Sequence, residues 1–328
     1  MNLSQLGERR AIRIFEGIYG SCEKAVLAMG DDACILEQDE KHYLVVSTDL
    51  LSRKTHFPLE MSPRKIGKYA VNACLSDIAS MGAYPIGLLF SYGLPGDTEE
   101  DFIRGLARGI DEACRSHDTC VLGGDTKEQD ELLVTGIALG RVKKDRVLRR
   151  SGAEVGDLIC TTGMMGSSAA GYYAMIKGFK APKRFMKAAF EPRSRIMEGI
   201  AISKYATACA DISDGLAFTL HEIARASGVG FRIYEGKIPV DGGLEGIAGL
   251  AGVEADELLF HKGGEYELLF TLPEEHLTTV EKKMKALKTK FSVIGEIAKR
   301  GGRLMRKDGR VENLEPRGYE AFKANFRT

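Results

Sequence analysis

The stretch Tyr43-Leu44-Val45-Val46-Ser47-Thr48-Asp49 constrains this chain most: a short apolar run that ends in two hydroxyls and a carboxylate. Short β-branched runs read as buried strands, so positions 43–46 are expected in a sheet with Ser47, Thr48 and Asp49 fixed at its mouth. Three consecutive oxygen-bearing side chains on a rigid mount suit a hard cation, although a strand that runs into Ser-Thr-Asp is also an ordinary turn. The pattern recurs. Gly30-Asp31-Asp32-Ala33 opens a strand, positions 119–122 lead into Gly123-Gly124-Asp125-Thr126, and positions 207–210 lead into Asp211-Ile212-Ser213-Asp214-Gly215.

The remaining periodicities fill in the frame. Positions 3–19 carry a helical apolar face of Leu6, Ile12, Ile14, Phe15 and Ile18. Ser62 and Pro63 are an N-cap and a first helical residue, and the helix they start runs to about position 81 with Asn72 and Asp77 inside it. Strands are expected at 86–92 and 132–142, with a helix capped by Thr98 between them that reaches position 117. The basic run 143–150 breaks the pattern, and a domain boundary is expected near 150, giving domains 1–150 and 151–328. Beyond it, strands are expected at 157–161, 207–210, 229–233, 267–272 and 291–297. Helices are expected at 168–176, 193–204, 216–226 and 273–287, with two helical pieces between 242 and 262. Each half mixes strands and helices, so the class is α+β or α/β.

The 328 residues carry a formal net charge of zero, which argues against a nucleic-acid binder. No segment approaches the roughly 18 apolar residues of a membrane span, and the first ten residues lack the apolar stretch of a signal peptide. The seven cysteines are scattered, with no Cys-x-x-Cys pair. They read as reduced thiols of a cytoplasmic protein rather than as a zinc site.

Asp31, Asp32, Asp49, Asp77, Asp125, Asp211 and Asp214 are either separate turn and cap residues or members of one site. If they converge, repulsion is severe: two like charges about 4 Å apart cost on the order of 4 kcal/mol at an effective dielectric of 20. A fold that gathers them needs divalent ions, and an all-oxygen donor set selects Mg²⁺. Mg²⁺ between carboxylates commonly serves phosphates. The chain has neither a P-loop nor a G-x-G-x-x-G turn. Gly163 to Ser168 could instead offer backbone N–H groups at a helix N-terminus, and Arg149 and Arg150 could reach a phosphate.

Six motifs then occur in a telling order: Gly30-Asp31-Asp32-Ala33, Ser47-Thr48-Asp49, Asn72-Ala73-Cys74-Leu75-Ser76-Asp77, Gly123-Gly124-Asp125-Thr126, Asp211-Ile212-Ser213-Asp214-Gly215-Leu216 and Gly263-Gly264-Glu265-Tyr266-Glu267-Leu268. This series resembles the thiamine-monophosphate kinases of the aminoimidazole ribonucleotide synthetase superfamily. The resemblance implies two domains: an N-terminal mixed sheet with helices that dimerises, and a C-terminal α+β domain, with ATP in the cleft between them. It implies transfer of the γ-phosphoryl of ATP to thiamine phosphate, with several Mg²⁺ ions, as the last step towards thiamine diphosphate. By resemblance, Asp32, Ser47, Thr48, Asp49, Asp77, Asp125, Asp211 and Asp214 hold Mg²⁺, with Asp49, Asp77, Asp125 and Asp214 central to catalysis. Gly124, Asp125, Arg150 and Ser213 contact ATP, while His56, Glu265 and Tyr319 contact thiamine phosphate.

Two departures stand out. The usual Gly-Gly-Glu-Asp-Tyr-Glu-Leu is one residue shorter here, and the tail Glu315-Pro316-Arg317-Gly318-Tyr319 has no tryptophan. The acceptor is a phosphate oxygen that is already ionised near neutral pH, so no strong general base is required and direct in-line transfer is expected. Rival readings are a cyclo-ligase or a selenophosphate synthetase of the same superfamily, or a non-catalytic ATP-binding regulator. A hydrogenase-maturation dehydratase would end in a reactive cysteine, whereas this chain reads Arg327-Thr328.

Overall fold

The chain builds two sheets, one in each half, in a computed structural model that describes residues 1–20 and 22–323. Arg327 and Thr328 lie outside the described residues. Two helices, α1 (Leu3–Leu6) and α2 (Glu8–Ile18), come first, because Gly7 takes a φ of 79° and breaks the expected single helix. Strands β1 (Ala25–Leu27), β2 (Cys34–Glu37), β3 (His42–Ser52), β4 (Tyr84–Leu94), β5 (Val121–Glu128) and β6 (Leu133–Lys143) form the first sheet, in the order β1-β2-β3-β6-β4-β5. All its pairs are antiparallel except β4–β5.

Alternation decides the faces. Positions 134, 136, 138, 140 and 142 of β6 are buried and the positions between them are not, so one side of the sheet packs and the other is open. The packed side carries α3 (Pro63–Ser80), beside which lies α4 (Glu100–Ser116). Val45, Leu88, Phe90, Val134 and Ala138 fill the layer beneath them. The open side leaves large apolar residues in solvent, with Leu50 61% and Leu122 53% exposed.

The second sheet comprises β7 (Leu158–Thr162), β8 (Ala208–Asp211), β9 (Gly230–Tyr234), β10 (Leu268–Leu272), β11 (Phe291–Ala298), β12 (Gly302–Met305) and β13 (Val311–Asn313). Their order is β13-β12-β9-β11-β7-β10-β8. Its helices are α5 (Ser167–Ile176), α6 (Lys183–Phe190), α7 (Ile196–Ile202), α8 (Leu216–Ser227), α9 (Leu244–Ala251) and α10 (Leu277–Ala286). Strand β10 is buried at every position, the signature of a strand covered on both faces. Strand β8 is an edge strand, yet it too is buried throughout, because α3 of the first half packs along it. That contact joins the halves and covers an edge that would otherwise template pairing with another chain.

Several expected elements differ. Asp49 sits inside β3 rather than at its end, since the strand continues to Ser52 against β6. Gly123-Gly124-Asp125-Thr126 forms part of edge strand β5 rather than a turn. Thr98 lies in the turn before α4, where its hydroxyl donates to Pro95 O, and Glu99 is the N-cap. Ser62 has N-cap backbone but makes no side-chain cap bond. The helix expected at 193–204 is confined to α7, because Arg195 at its cap is bonded to Glu267. Helix α6 and strands β12 and β13 were not anticipated.

Gly124 is a glycine for a reason of packing. A Cβ there would stand 1.7 Å from Phe90 O and 2.8 Å from its carbonyl carbon, so β4 and β5 could not approach. Gly124→Ala is expected to destabilise the chain by about 1–3 kcal/mol, the usual cost of overpacking. An unchanged urea midpoint would show that the two strands do not pair this closely.

Candidate active site

Helix α3 sets one wall of the site. Tyr69, Ala73 and Asp77 recur at intervals of four residues, which puts them on one helical face, and all three line a cavity of about 510 Å³ between the halves. Asp49 enters from β3, where it lies opposite Gly136 of β6, and its carboxylate is hydrogen-bonded to the Cys74 side chain of α3. The second half contributes the loop that follows β8. That loop is clamped by the stretch before β10: Ile212 N–H donates to Glu267 O at 2.8 Å, Tyr266 N–H to Ile212 O at 3.0 Å, and Gly264 N–H to Ser213 O at 2.8 Å. A Cβ on Gly263 would lie 1.7 Å from Ser213 O, so only glycine permits this approach. The tail completes the clamp, with Tyr319 N–H donating to Asp214 O at 2.8 Å.

The acids meet at this seam. Ser76 Oγ on α3 donates to Asp211 Oδ2 at 2.6 Å, and Asp211 N–H donates to Asp32 Oδ2 at 3.2 Å. The Asp32 side chain is 1% exposed, and Arg150 Nε reaches its Oδ1 at 2.7 Å. Arg150 also holds Glu222 at 3.1 Å, while its backbone N–H donates to Asp31. Burial opposes the charge on Arg150, but neighbouring Asp32 outweighs it and holds the guanidinium above its ordinary pKa.

The cluster resists ionisation. Burial raises the Asp49 carboxyl to about 6. Burial, then the charges of Asp49, Asp211 and Asp32, push Asp77 well above the carboxylate range. Asp211 rises to about 7 through burial and Asp32, against the Ser76 hydrogen bond, and burial lifts Asp214 to about 6 with help from Glu8. Asp32, Asp49, Asp77 and Asp211 therefore feel one another, with Arg150 as the cation among them. Among the described residues, no three His, Cys, Asp or Glu side chains already form a metal centre. The donor chemistry nonetheless fits hard divalent cations: oxygen throughout, in carboxyl groups that burial and mutual repulsion leave short of positive charge.

Aromatic side chains line the same cavity. Tyr69, Tyr172, Tyr266, Tyr319, Phe190 and His56 line it. Tyr69 and Tyr266 meet edge to face with ring centres 5.9 Å apart and hydroxyls at 3.2 Å. Tyr266 has left-handed backbone, φ 52°, which is how the short stretch between Gly264 and β10 turns its ring towards α3. Burial lowers His56 to about 4, so its imidazole is neutral. Its Nδ1 accepts from Ser52 N–H at 3.3 Å, which leaves the proton on Nε2.

Thr48, Asp49, His56, Asp77, Asp211, Ser213, Asp214 and Tyr319 are thus brought to one cavity. Ser47 is buried behind it, donating to Cys74 O at 3.4 Å, and Asp32 and Arg150 adjoin it through Asp211. Gly124 and Asp125 lie on exposed β5 and do not line it; the Asp125 carboxylate accepts from Thr126 N–H at 2.9 Å and faces Lys127. Glu265 lines a different cavity. Sequence reasoning missed Tyr69, Tyr172, Tyr266 and Glu8, and of these only Tyr69 carried a signal, its spacing of eight from Asp77.

Residues 30–142 match the N-terminal domain of the AIR synthase related proteins and residues 154–307 match their C-terminal domain. A thiamine-monophosphate kinase of Pyrococcus horikoshii is 36% identical over 296 residues, covering 90% of this chain and 91% of that protein. The solved structure "AaThiL complexed with AMPPCP and TMP" superposes with a TM-score of 0.85 at 27% identity, over 98% of this chain and 99% of that one. The thiamine-monophosphate kinase of Stenotrophomonas maltophilia K279a superposes with a TM-score of 0.76 at 28% identity, over 92% of this chain and 95% of that one. A chain with both domains in this order, 36% identical to a thiamine-monophosphate kinase over 90% of its length and with carboxyls and tyrosines lining one cavity, belongs to the thiamine-monophosphate kinase family of the AIR synthase related proteins.

Proposed function

We propose that this chain transfers the γ-phosphoryl group of ATP directly to thiamine phosphate, releasing ADP and thiamine diphosphate. The observation that carries the reading is one cavity lined by both aspartates and tyrosines. A thiazolium is a cation on an apolar ring, and tyrosine faces attract such groups. Its phosphate arm then extends from the tyrosines towards the aspartates.

Mg²⁺, when bound, would screen the triphosphate from the acceptor phosphate and stabilise charge on the group in transfer. Asp32, Ser47, Thr48, Asp49, Asp77, Asp211 and Asp214 are the residues we assign to hold it. Arg150 and Ser213 would bind nucleotide phosphates, and Tyr319 the substrate ring. Neutral His56 offers an Nε2 proton to the thiamine phosphate rather than acting as a base. No base is needed, because the attacking phosphate oxygen is already ionised, and the residues contribute chiefly by orientation.

The reading extends to assembly and domains. A boundary near 150 separates the two sheets, and a homodimer would cover the open face of the first sheet, where Leu50 and Leu122 are exposed. Strand β5 is exposed along its length; Gly124 and Asp125 keep their expected roles on the footing that a second copy covers it. No helix among the described residues is long and apolar enough to cross a membrane, and the zero net charge supports a chain without nucleic-acid partners.

ADP should form from ATP with thiamine phosphate but not with thiamine or selenide; equal rates with all three would end this assignment. Asp49→Asn, Asp77→Asn and Asp214→Asn should each lower turnover by about 100-fold or more while the circular dichroism spectrum stays unchanged. Wild-type rates in all three would remove the carboxyl site from the mechanism. Leu50→Lys should shift the molar mass in light scattering from dimer to monomer, and a mass indifferent to it would place any dimer elsewhere.

The raised carboxyls give a pH test. Native Asp49 binds its proton up to about 6, whereas an unfolded aspartate releases it near 4. Their stabilising share is therefore complete below about pH 4 and is lost as pH rises through 6. In chelator, Asp49→Asn should gain on the order of 2 kcal/mol over wild type between pH 5 and 8, read by urea denaturation. Added Mg²⁺ should cancel that advantage. Parallel pH profiles in chelator would mean that Asp49 is not held in a strained, buried cluster.

A further inference from the structure

Ser168 lines a second cavity as well as the first. The second has a volume of about 350 Å³ and is walled by the glycine-rich turn that follows β7. Gly163, with φ 66°, turns the chain there, and α5 begins at Ser167. The positive end of a ten-residue helix therefore faces this space. Glu265 stands across it, its Oε1 accepting from Gly166 N–H at 3.2 Å.

Two atoms deep in this wall have no partner among the described residues. Ser167 Oγ and Glu265 Oε2 are buried without a hydrogen bond, and the two residues are 7% and 8% exposed. Polar atoms buried unmet cost about 1–3 kcal/mol each, so the pocket is built for a guest that bonds to them. Burial, with the charge of Glu267 adding, pushes the Glu265 carboxyl up to about 8. At neutral pH it carries a proton to donate.

The charges at the mouth have one sign to spare. Arg195 is engaged by Glu267 at 2.6 Å and Glu198 at 3.1 Å, Arg184 by Asp241 at 2.6 Å, and Glu191 by Lys65 at 2.8 Å. Lys187, Arg193, Lys288 and Lys290 also line the cavity, and none of them has a carboxylate partner among the described residues. Two buried donors below and four unneutralised cations above describe a receptor for a compact, multiply charged oxyanion.

We propose that this cavity is a second anion site, separate from the phosphoryl-transfer cavity, and that it takes a dianionic phosphate group. Ser167 and Glu265 donate to its inner oxygens, while Arg193 and Lys290 neutralise its outer ones. The site can be read apart from the main one. The chain is saturated with Mg²⁺, a non-hydrolysable ATP analogue and thiamine phosphate, and inorganic phosphate is titrated in by calorimetry at pH 7. Glycerol phosphate is titrated in parallel.

One saturable equivalent of either probe is expected. Uptake of both assigns the site to phosphate groups in general, and uptake of inorganic phosphate alone assigns it to the free anion. The double variant Arg193→Glu/Lys290→Glu should weaken that binding at least tenfold and leave the affinity for the ATP analogue unchanged. Ser167→Ala should weaken it severalfold with the fold intact by circular dichroism. The same titration without nucleotide or thiamine phosphate keeps the result independent of the assigned reaction. No saturable uptake of either probe, or uptake indifferent to both variants, overturns the proposal.

Discussion

Four aspartates from both halves of the chain, Asp32, Asp49, Asp77 and Asp211, share a seam where one guanidinium and one hydroxyl are the main groups that hold them together. Burying them is costly in two ways, since each loses water and each feels the others. The fold accepts this because the same seam is where α3 packs along β8 and closes an exposed sheet edge. Apolar burial of α3 from Ile66 to Ala79 pulls the acids in, and Asp49, Asp77 and Asp211 answer by holding protons more tightly. The acidic lining of the cavity is thus made by packing that has nothing to do with charge.

The same packing fixes where a substrate can lie. One face of α3 presents Asp77 near its C-terminus and Tyr69 two turns earlier, so the distance between these two groups is set by helical rise rather than by loops. Part of the opposing wall is loops, but loops pinned by backbone. Gly263 touches Ser213, Tyr266 is held to Ile212, and Tyr319 to Asp214. Positioning of this kind suits a reaction in which orientation and charge matter more than proton transfer.

The legible part of this design was local. The run 43–49, the Ser62-Pro63 helix start and the acids beside Gly, Ser and Thr were readable because each depends on a few neighbouring residues. The convergence of Asp49, Asp77, Asp211 and Asp214 was readable only through the order of the motifs. What escaped has a physical reason in each case. Asp125 reads like a turn acid because Gly123-Gly124 precedes it, yet Gly124 serves the close approach of β5 to β4. Tyr172 and Tyr266 reach the cavity through tertiary packing, and Tyr266 through a left-handed backbone that no bulky residue advertises. Glu265 sits one residue from Tyr266 and faces another cavity, a consequence of that same turn.

Arg150 explains how the cluster exists with an arginine as its counter-ion. It spans Asp32 and Glu222 through its guanidinium and Asp31 through its backbone, so it is the internal counter-ion of the seam. An arginine bound this way is a poor free phosphate ligand, since it must give up its salt bridge to Asp32 first. In the proposed function Asp32 would hold a divalent cation and Arg150 a nucleotide phosphate, so the guanidinium would have to exchange its carboxylate partner for a phosphate. Asp32 and Arg150 already lie together at the seam between the two sheets.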